Sequence, residues 1–129
     1  MGAALVRDGR VLASRRTQPP RLAGLWEFPG GKVEDGESDH EALRRELREE
    51  LRVEASVGDR LGGDVLIGQT AVLRVYLAAI TAGEPALVDH DAHRWLAKDE
   101  LGSVDWIPVD LPLVELLRDL LDAEVRRLR

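Results

Sequence analysis

Residues 30–51 constrain this chain more than any other stretch. Ser38-x-x-Glu41 is a capping box, in which each side chain satisfies a free backbone N–H at the other's end of the first turn, so a helix starts here. Leu43, Leu47 and Leu51 then recur at four-residue spacing and give that helix one buried stripe. Glu46, Glu49 and Glu50 stand at i, i+3 and i+4 and project together from a different face. Charge-dense helices are ordinarily solvated faces, but such a face does not need like charges on neighbouring positions, where each pair costs about what an ion pair gains. Arg45 offsets part of that repulsion through Glu41 and Glu49, each four residues away. A hard divalent cation such as Mg²⁺ would offset more, because it takes oxygen ligands. Ahead of the helix, Pro29-Gly30-Gly31-Lys32 reads as a backbone-exposed turn whose carbonyls can approach a metal, with Lys32 as a candidate phosphate contact. Carboxylates on a fixed helix beside such a turn suit metal-assisted phosphate-anhydride chemistry.

The elements around this segment read as a mixed α/β domain. AALV and RVLAS are two short strands around a turn at Asp8-Gly9. The loop TQPPRLAG cannot be helical through Pro19-Pro20, and residues 25–37 are extended and glycine-punctuated. Residues 53–57, 63–67, 71–80 and 92–96 read as strands, the stretch 71–80 as a central one because it is almost wholly apolar. An amphipathic helix closes the chain from Asp110, its natural N-cap, to about Arg127, with Leu113, Leu116, Leu117, Leu120 and Leu121 facing inward. Strands, a helix, more strands and a last helix predict a sheet sandwiched by helices.

The totals exclude several functions. A chain of 129 residues suits one domain over 1–129 with a real core. It has no cysteine, which excludes disulfides, thiolate zinc sites and cysteine nucleophiles and fits a cytoplasmic location. No apolar run reaches the roughly 18 residues a membrane span needs. With a net charge of −6 and no basic tract, a nucleic-acid polymer is not an expected partner, whereas a small phosphorylated molecule is compatible if a metal supplies positive charge. The sequence carries no signal of oligomeric state.

Gly31, then Glu37 after five residues, then Arg45-Glu46-Leu47-Arg48-Glu49-Glu50 after seven more, resembles the Nudix box. The stretch Trp26-Glu27-Phe28-Pro29-Gly30-Gly31-Lys32 is similar to the MutT branch of that family. The resemblance implies the Nudix α/β/α sandwich with a mixed sheet, and hydrolysis of a pyrophosphate bond with Mg²⁺, or Mn²⁺ in its place. It implies that Glu46, Glu49 and Glu50 are metal ligands, one of them also the general base, with the identity of that base left open. The carbonyl of Gly30 would complete part of the metal shell, Arg45 would orient a glutamate, and Glu37 would brace the loop onto the helix. An acidic residue on a later strand or loop usually adds a ligand; Asp89 matches that position best, with Asp91 second. His90, lacking a partner in sequence, reads as structural. The sequence departs from the box once, with Arg52 where a glycine normally ends the helix in a left-handed conformation. The expected consequence is a stability cost, since Arg52 is not a ligand. The chain also begins inside its first strand, so that edge is expected to be incomplete.

For substrate, the resemblance places Arg16, Phe28 and Asp110 where MutT-like enzymes contact the base. Phe28 would supply an apolar face, against the alternative of simple core packing. A carboxylate accepts but does not donate unless protonated, so Asp110 suits the exocyclic amine of cytosine. The reading is a nucleoside triphosphate pyrophosphohydrolase leaning to CTP and dCTP, with 8-oxo-dGTP close behind. Two alternatives are a Nudix enzyme for nucleoside diphosphate-linked substrates and a non-catalytic Nudix-type binding or regulatory module. The latter typically lacks box carboxylates, all of which are present here.

Overall fold

The computed structural model describes residues 1–127, with side chains described to residue 121. Strands β1 (Gly2–Arg7) and β2 (Arg10–Arg16) form the expected hairpin. Asp8 and Gly9 both take positive φ, 53° and 73°, the primed turn geometry whose twist matches antiparallel strands. A short β3 (Trp26–Glu27) follows, then α1 (Asp39–Leu51) and β4 (Glu54–Arg60). After a small hairpin of β5 (Val65–Ile67) and β6 (Ala71–Leu73) come β7 (Val75–Ala82) and β8 (His90–Ala97). Two 3-10 turns, Lys98–Ser103 and Pro108–Asp110, lead into α2 (Leu111–Arg127).

The main sheet has six strands in the order β3-β2-β1-β7-β4, with β8 also paired to β2. β1 and β7 run parallel and the other pairs antiparallel, so the sheet is mixed. Period-two alternation sorts side chains to its two faces. Ala3, Leu5 and Leu12 pack with Leu43, Leu47 and Leu51 under α1. Ala4, Val11 and Ala13 pack with Leu113, Leu117 and Leu121 under α2. This is the expected helix–sheet–helix sandwich. β1 and β2 share only two register pairs beside their turn, Val6 with Val11 and Arg7 with Arg10. Beyond them β2 pairs with β3, while Gly2 at the far end of β1 bridges Gly30. The two halves of the sheet therefore splay apart, and the functional residues gather at that split.

Two expectations are corrected. The predicted strand 71–80 is two strands in two sheets, broken at Arg74. The Arg74 carbonyl accepts from Gly2 N–H at 2.9 Å, and its guanidinium turns to Asp39 at 2.6 Å, so the chain leaves the β5–β6 hairpin here to join β1. The part that continues, β7, is central, between β1 and β4. Leu116 and Leu120 do not face inward but are 45% and 42% exposed. The buried stripe of α2 is Leu113, Val114, Leu117 and Leu121, a narrower set than the leucine count suggests, because only one side of this helix meets the sheet.

Candidate active site

The site begins with how α1 is started. Ser38 Oγ accepts from the Glu41 N–H at 3.1 Å, and Glu41 Oε1 accepts from the Ser38 N–H at 3.3 Å, the predicted capping box. Glu41 is thereby engaged, and Arg45 does not use it as expected. Arg45 instead reaches back along the chain. Its Nε and Nη2 donate to both oxygens of Glu37 at 2.8 and 3.0 Å, and Nη2 donates to the Lys32 carbonyl at 3.0 Å. Its Nη1 donates to Glu46 at 2.9 Å and to Glu49 at 3.3 Å. One guanidinium thus ties the glycine turn, Glu37 and two helix carboxylates together, a geometry its planar fork suits. Glu37 also accepts from the Glu34 N–H at 2.9 Å, and Arg45 beside it holds its carboxyl below the usual range.

The glycine turn lies directly over α1. A Cβ on Gly31 would come within 2.4 Å of Glu46 Cδ, so only glycine lets the turn close over that carboxylate. A Cβ on Gly30 would meet the Met1 carbonyl oxygen at 2.1 Å, which pins the turn against β1. At the other end of α1, Arg52 takes the left-handed conformation that glycine would normally take, with φ 60° and ψ 36°. Its N–H donates to the Arg48 carbonyl at 3.1 Å, so the helix ends as the motif requires with a residue that bears strain.

A cleft of about 720 Å³ opens at the split in the sheet. It brings together Arg16, Phe28, Gly30, Glu50, Asp89 and Asp110 of the predicted site. Lys32, exposed on the turn, is outside the residues lining it, as are Arg45, Glu37, Glu46 and Glu49. Asp89 lines the cleft, whereas Asp91 is turned away onto Arg15 Nε at 2.6 Å. Glu50 is the helix carboxylate that opens into the cleft. Its Oε2 is buried without a partner, and burial pushes its carboxyl up to about 7.

The opposite end of the cleft is built by residues 105–110. The Asp105 carbonyl accepts from Trp26 N–H at 2.8 Å, and the Trp26 carbonyl accepts from Ile107 N–H at 2.7 Å, so this segment runs beside β3. The 3-10 turn that follows aims the Asp110 carboxylate across to Phe28, whose N–H donates to Oδ2 at 3.1 Å. Asp110 therefore does not act simply as the cap of α2. It is buried at 4% exposure, and burial pushes its carboxyl up to about 7. The Phe28 ring packs on Trp106 with centroids 5.0 Å apart, and the residue also lines the cleft.

Two further residues line the cleft: Glu27, unassigned from the sequence, and His90, read from it as structural. Glu27 accepts from Arg16 Nη1 at 2.7 Å through Oε1 and from His90 Nε2 at 2.9 Å through Oε2. His90 is buried and its Nδ1 has no partner. The available signal was Glu27 between the core residues Trp26 and Phe28, since a carboxylate there must leave the core on the opposite face.

Among the described residues, no three His, Asp or Glu side chains converge closely enough to hold an ion. The donor chemistry nevertheless fits a hard divalent cation: carboxylate oxygens on one helix face, one buried Glu50 oxygen without a partner, and a glycine turn at contact distance.

Comparison with known proteins is consistent with this arrangement. The NUDIX domain model matches residues 1–123. A Mycobacterium tuberculosis protein named "Putative 8-oxo-dGTP diphosphatase 2" is 47% identical over 113 residues, covering 85% of this chain and 80% of the relative. An Escherichia coli protein named CTP pyrophosphohydrolase is 38% identical over 117 residues, covering 89% and 87%. Among solved structures, the E. coli ORF135 protein superposes with a TM-score of 0.77 at 35% identity, covering 92% of this chain and 86% of that one. A MutT Nudix hydrolase from Burkholderia pseudomallei gives 0.68 at 34% identity, covering 87% and 92%.

Proposed function

Because the chain belongs to the Nudix family, we propose that it is a MutT-like nucleoside triphosphate pyrophosphohydrolase. It converts a (deoxy)nucleoside triphosphate and water to the monophosphate and pyrophosphate, working as one domain over 1–129. The observation that carries this reading is one cleft lined both by Glu50 and Asp89 and by the buried Asp110 beside Phe28. Such a cleft takes a molecule with phosphates at one end and a base at the other.

Nudix hydrolases generally use a divalent metal. We assign Mg²⁺, with Mn²⁺ able to replace it, to Glu46, Glu49 and Glu50 with Gly30 and Asp89 as further oxygen donors. Bound there, the metal would neutralise substrate oxygens and lower the pKa of the attacking water. The chain's own residues do the rest. Arg45 fixes Glu46 and Glu49 in orientation, and Glu37 fixes Arg45. Glu50 is the helix carboxylate that opens into the cleft, and in the metal-free chain burial raises its carboxyl to about 7. Phe28 and Asp110 hold the base, and the Phe28 N–H fixes one Asp110 oxygen so that the other is free to read it.

An ionised Asp110 accepts from the exocyclic amine of cytosine, which favours CTP and dCTP. A protonated one donates, and a carboxyl raised to about 7 populates both forms, which keeps 8-oxo-dGTP as the second substrate. The 47%-identical relative named for 8-oxo-dGTP favours that second reading. No helix among the described residues is long and apolar enough to cross a membrane, and a cytoplasmic site of action is part of this proposal.

The test is pyrophosphate release with Mg²⁺ across the common nucleoside triphosphates, 8-oxo-dGTP and a nucleoside diphosphate sugar. Selective turnover of a triphosphate is expected. Turnover of the sugar alone would move the chain to the diphosphate-linked class, and binding without turnover would make it a regulatory module. Glu49→Gln is expected to abolish turnover with the fold intact.

A further inference from the structure

Between the two ends of the cleft, three strands contribute one side chain each to a continuous polar wall. Glu27 on β3 is in register with Ser14 of β2, and Arg16 at the end of β2 is in register with His90 at the start of β8. A bulge between Arg15 and Arg16 re-aims the last β2 side chain. Both Glu27 oxygens are used, one by Arg16 and the other by His90. A carboxylate only accepts, so His90 Nε2–H is the donor and its Nδ1 is left as the buried, unpartnered atom. Arg16 is fixed a second time by the Gln18 carbonyl at 2.8 Å, and Thr17 Oγ1 donates to the Asp89 carbonyl at 2.9 Å. The Glu27 side chain is 18% exposed and that of His90 is 4% exposed, so neither arrangement is an incidental surface pair. Glu27, Arg16 and His90 line the same cleft as Glu50, Asp89, Phe28 and Asp110.

We propose that Glu27 is a positioning residue that couples base recognition to the reacting end of the cleft, holding Arg16 toward the base with one oxygen and His90 toward Glu50 and Asp89 with the other. This rests on the triphosphate hydrolase reading above. Occupation of the base end by a base that engages Arg16 loads one oxygen of Glu27, and the other oxygen transmits the change to His90. A base that does not engage Arg16 leaves His90 where it is. Discrimination between bases is then expressed in kcat as well as in KM.

The conservative variant separates the two oxygens. In Glu27→Gln the amide oxygen still accepts from Arg16, but the amide N–H₂ cannot accept from His90 Nε2–H, so His90 keeps this contact only by moving its proton to Nδ1 and accepting through Nε2. In Glu27→Ala both partners are released. The experiment measures kcat and KM with Mg²⁺ for the best and a poorly used nucleoside triphosphate, in wild type and both variants, with Tm alongside. The expected result is that Glu27→Ala lowers the kcat/KM ratio between the two substrates by about tenfold, as for loss of a group acting on one transition state more than the other. Glu27→Gln should keep KM within about threefold of wild type while kcat falls, the pattern of a lost interaction that matters after binding. Both variants lowering the two substrates by the same factor, or leaving both unchanged, would overturn the coupling. If Glu27→Ala does not fold, the Glu27→Gln split decides alone, and unchanged kcat there overturns the inference. A wild type inactive on every triphosphate overturns the underlying reading and this inference with it, whereas an active wild type with an unaltered ratio overturns this inference only.

Discussion

Replacing Arg52 by glycine should stabilise the protein without touching its chemistry. Arg52 sits at φ 60°, ψ 36°, and a residue with a Cβ pays about 1–2 kcal/mol in that region. Glycine removes that strain but gives the unfolded chain more freedom, worth roughly 0.4–1 kcal/mol in the other direction. The Arg52 side chain is exposed, so little packing is lost with it. The net expectation is a gain of about 0.5–1 kcal/mol, which for a domain of this size raises Tm by roughly 2–4 °C. Arg52→Ala is the control, because alanine keeps the strain and should not raise Tm. Thermal and urea unfolding read the stability, and pyrophosphate release reads the activity, which should be unchanged for Arg52→Gly. A fall in Tm for Arg52→Gly would refute the reasoning and mean that the arginine side chain contributes more than the strain costs.

Gly31→Ala would place a methyl group 2.4 Å from Glu46 Cδ and push that carboxylate aside, so turnover should fall by at least about tenfold while circular dichroism stays unchanged. Tyr76 O–H donates to Asp39 at 2.5 Å beside the Arg74 pair, and Tyr76→Phe should cost about 1 kcal/mol in urea unfolding. In metal-free protein, Glu50 and Asp110 bind protons more tightly folded than unfolded, since burial moves them from 4.5 and 3.8 up to about 7. Their effect is therefore to lower stability as pH rises from about 4 to 7, and Asp110→Asn should flatten that fall in urea unfolding measured across the range. Asp39 works in the opposite sense: the Arg74 guanidinium holds it at about 2, so its stabilisation is lost as pH falls below 3.8 toward 2. Asp110→Asn should also shift turnover from cytosine toward 8-oxoguanine nucleotides, and an unchanged ratio would remove Asp110 from base recognition.

Local rules made α1 legible in detail. The capping box, the leucine stripe and the Arg45–Glu49 pair depend on residues within one or two turns of each other, and each is present. Arg45's other partners were not legible, because Glu37 and the Lys32 carbonyl reach it only once the glycine turn folds back over the helix. The strand break at Arg74 was hidden for a related reason. Apolar residues run through 71–80 almost without interruption, and what divides them is a partner strand and an ion pair from elsewhere in the chain. Glu27 and His90 are 63 positions apart in sequence, and nothing local to either announces the other. The exposed Leu116 and Leu120 show the converse limit, that a helix rich in leucine does not by itself say how wide a face the sheet will cover.

The parallel contact between β1 and β7 has a consequence for biosynthesis. Gly2 pairs with Val75 and Leu5 with Ala78, so the strand made first waits for one made some seventy residues later. Until β7 has cleared the ribosome, β1 can hold its hairpin with β2, but its other edge and the apolar side chains Ala3, Leu5 and Ala4 lack their final cover. Loop closure over that distance precedes any reward from pairing, so the emergence of β7 is the moment at which this sheet commits to its order. Truncated products ending before β7 should therefore be aggregation-prone species rather than partial domains.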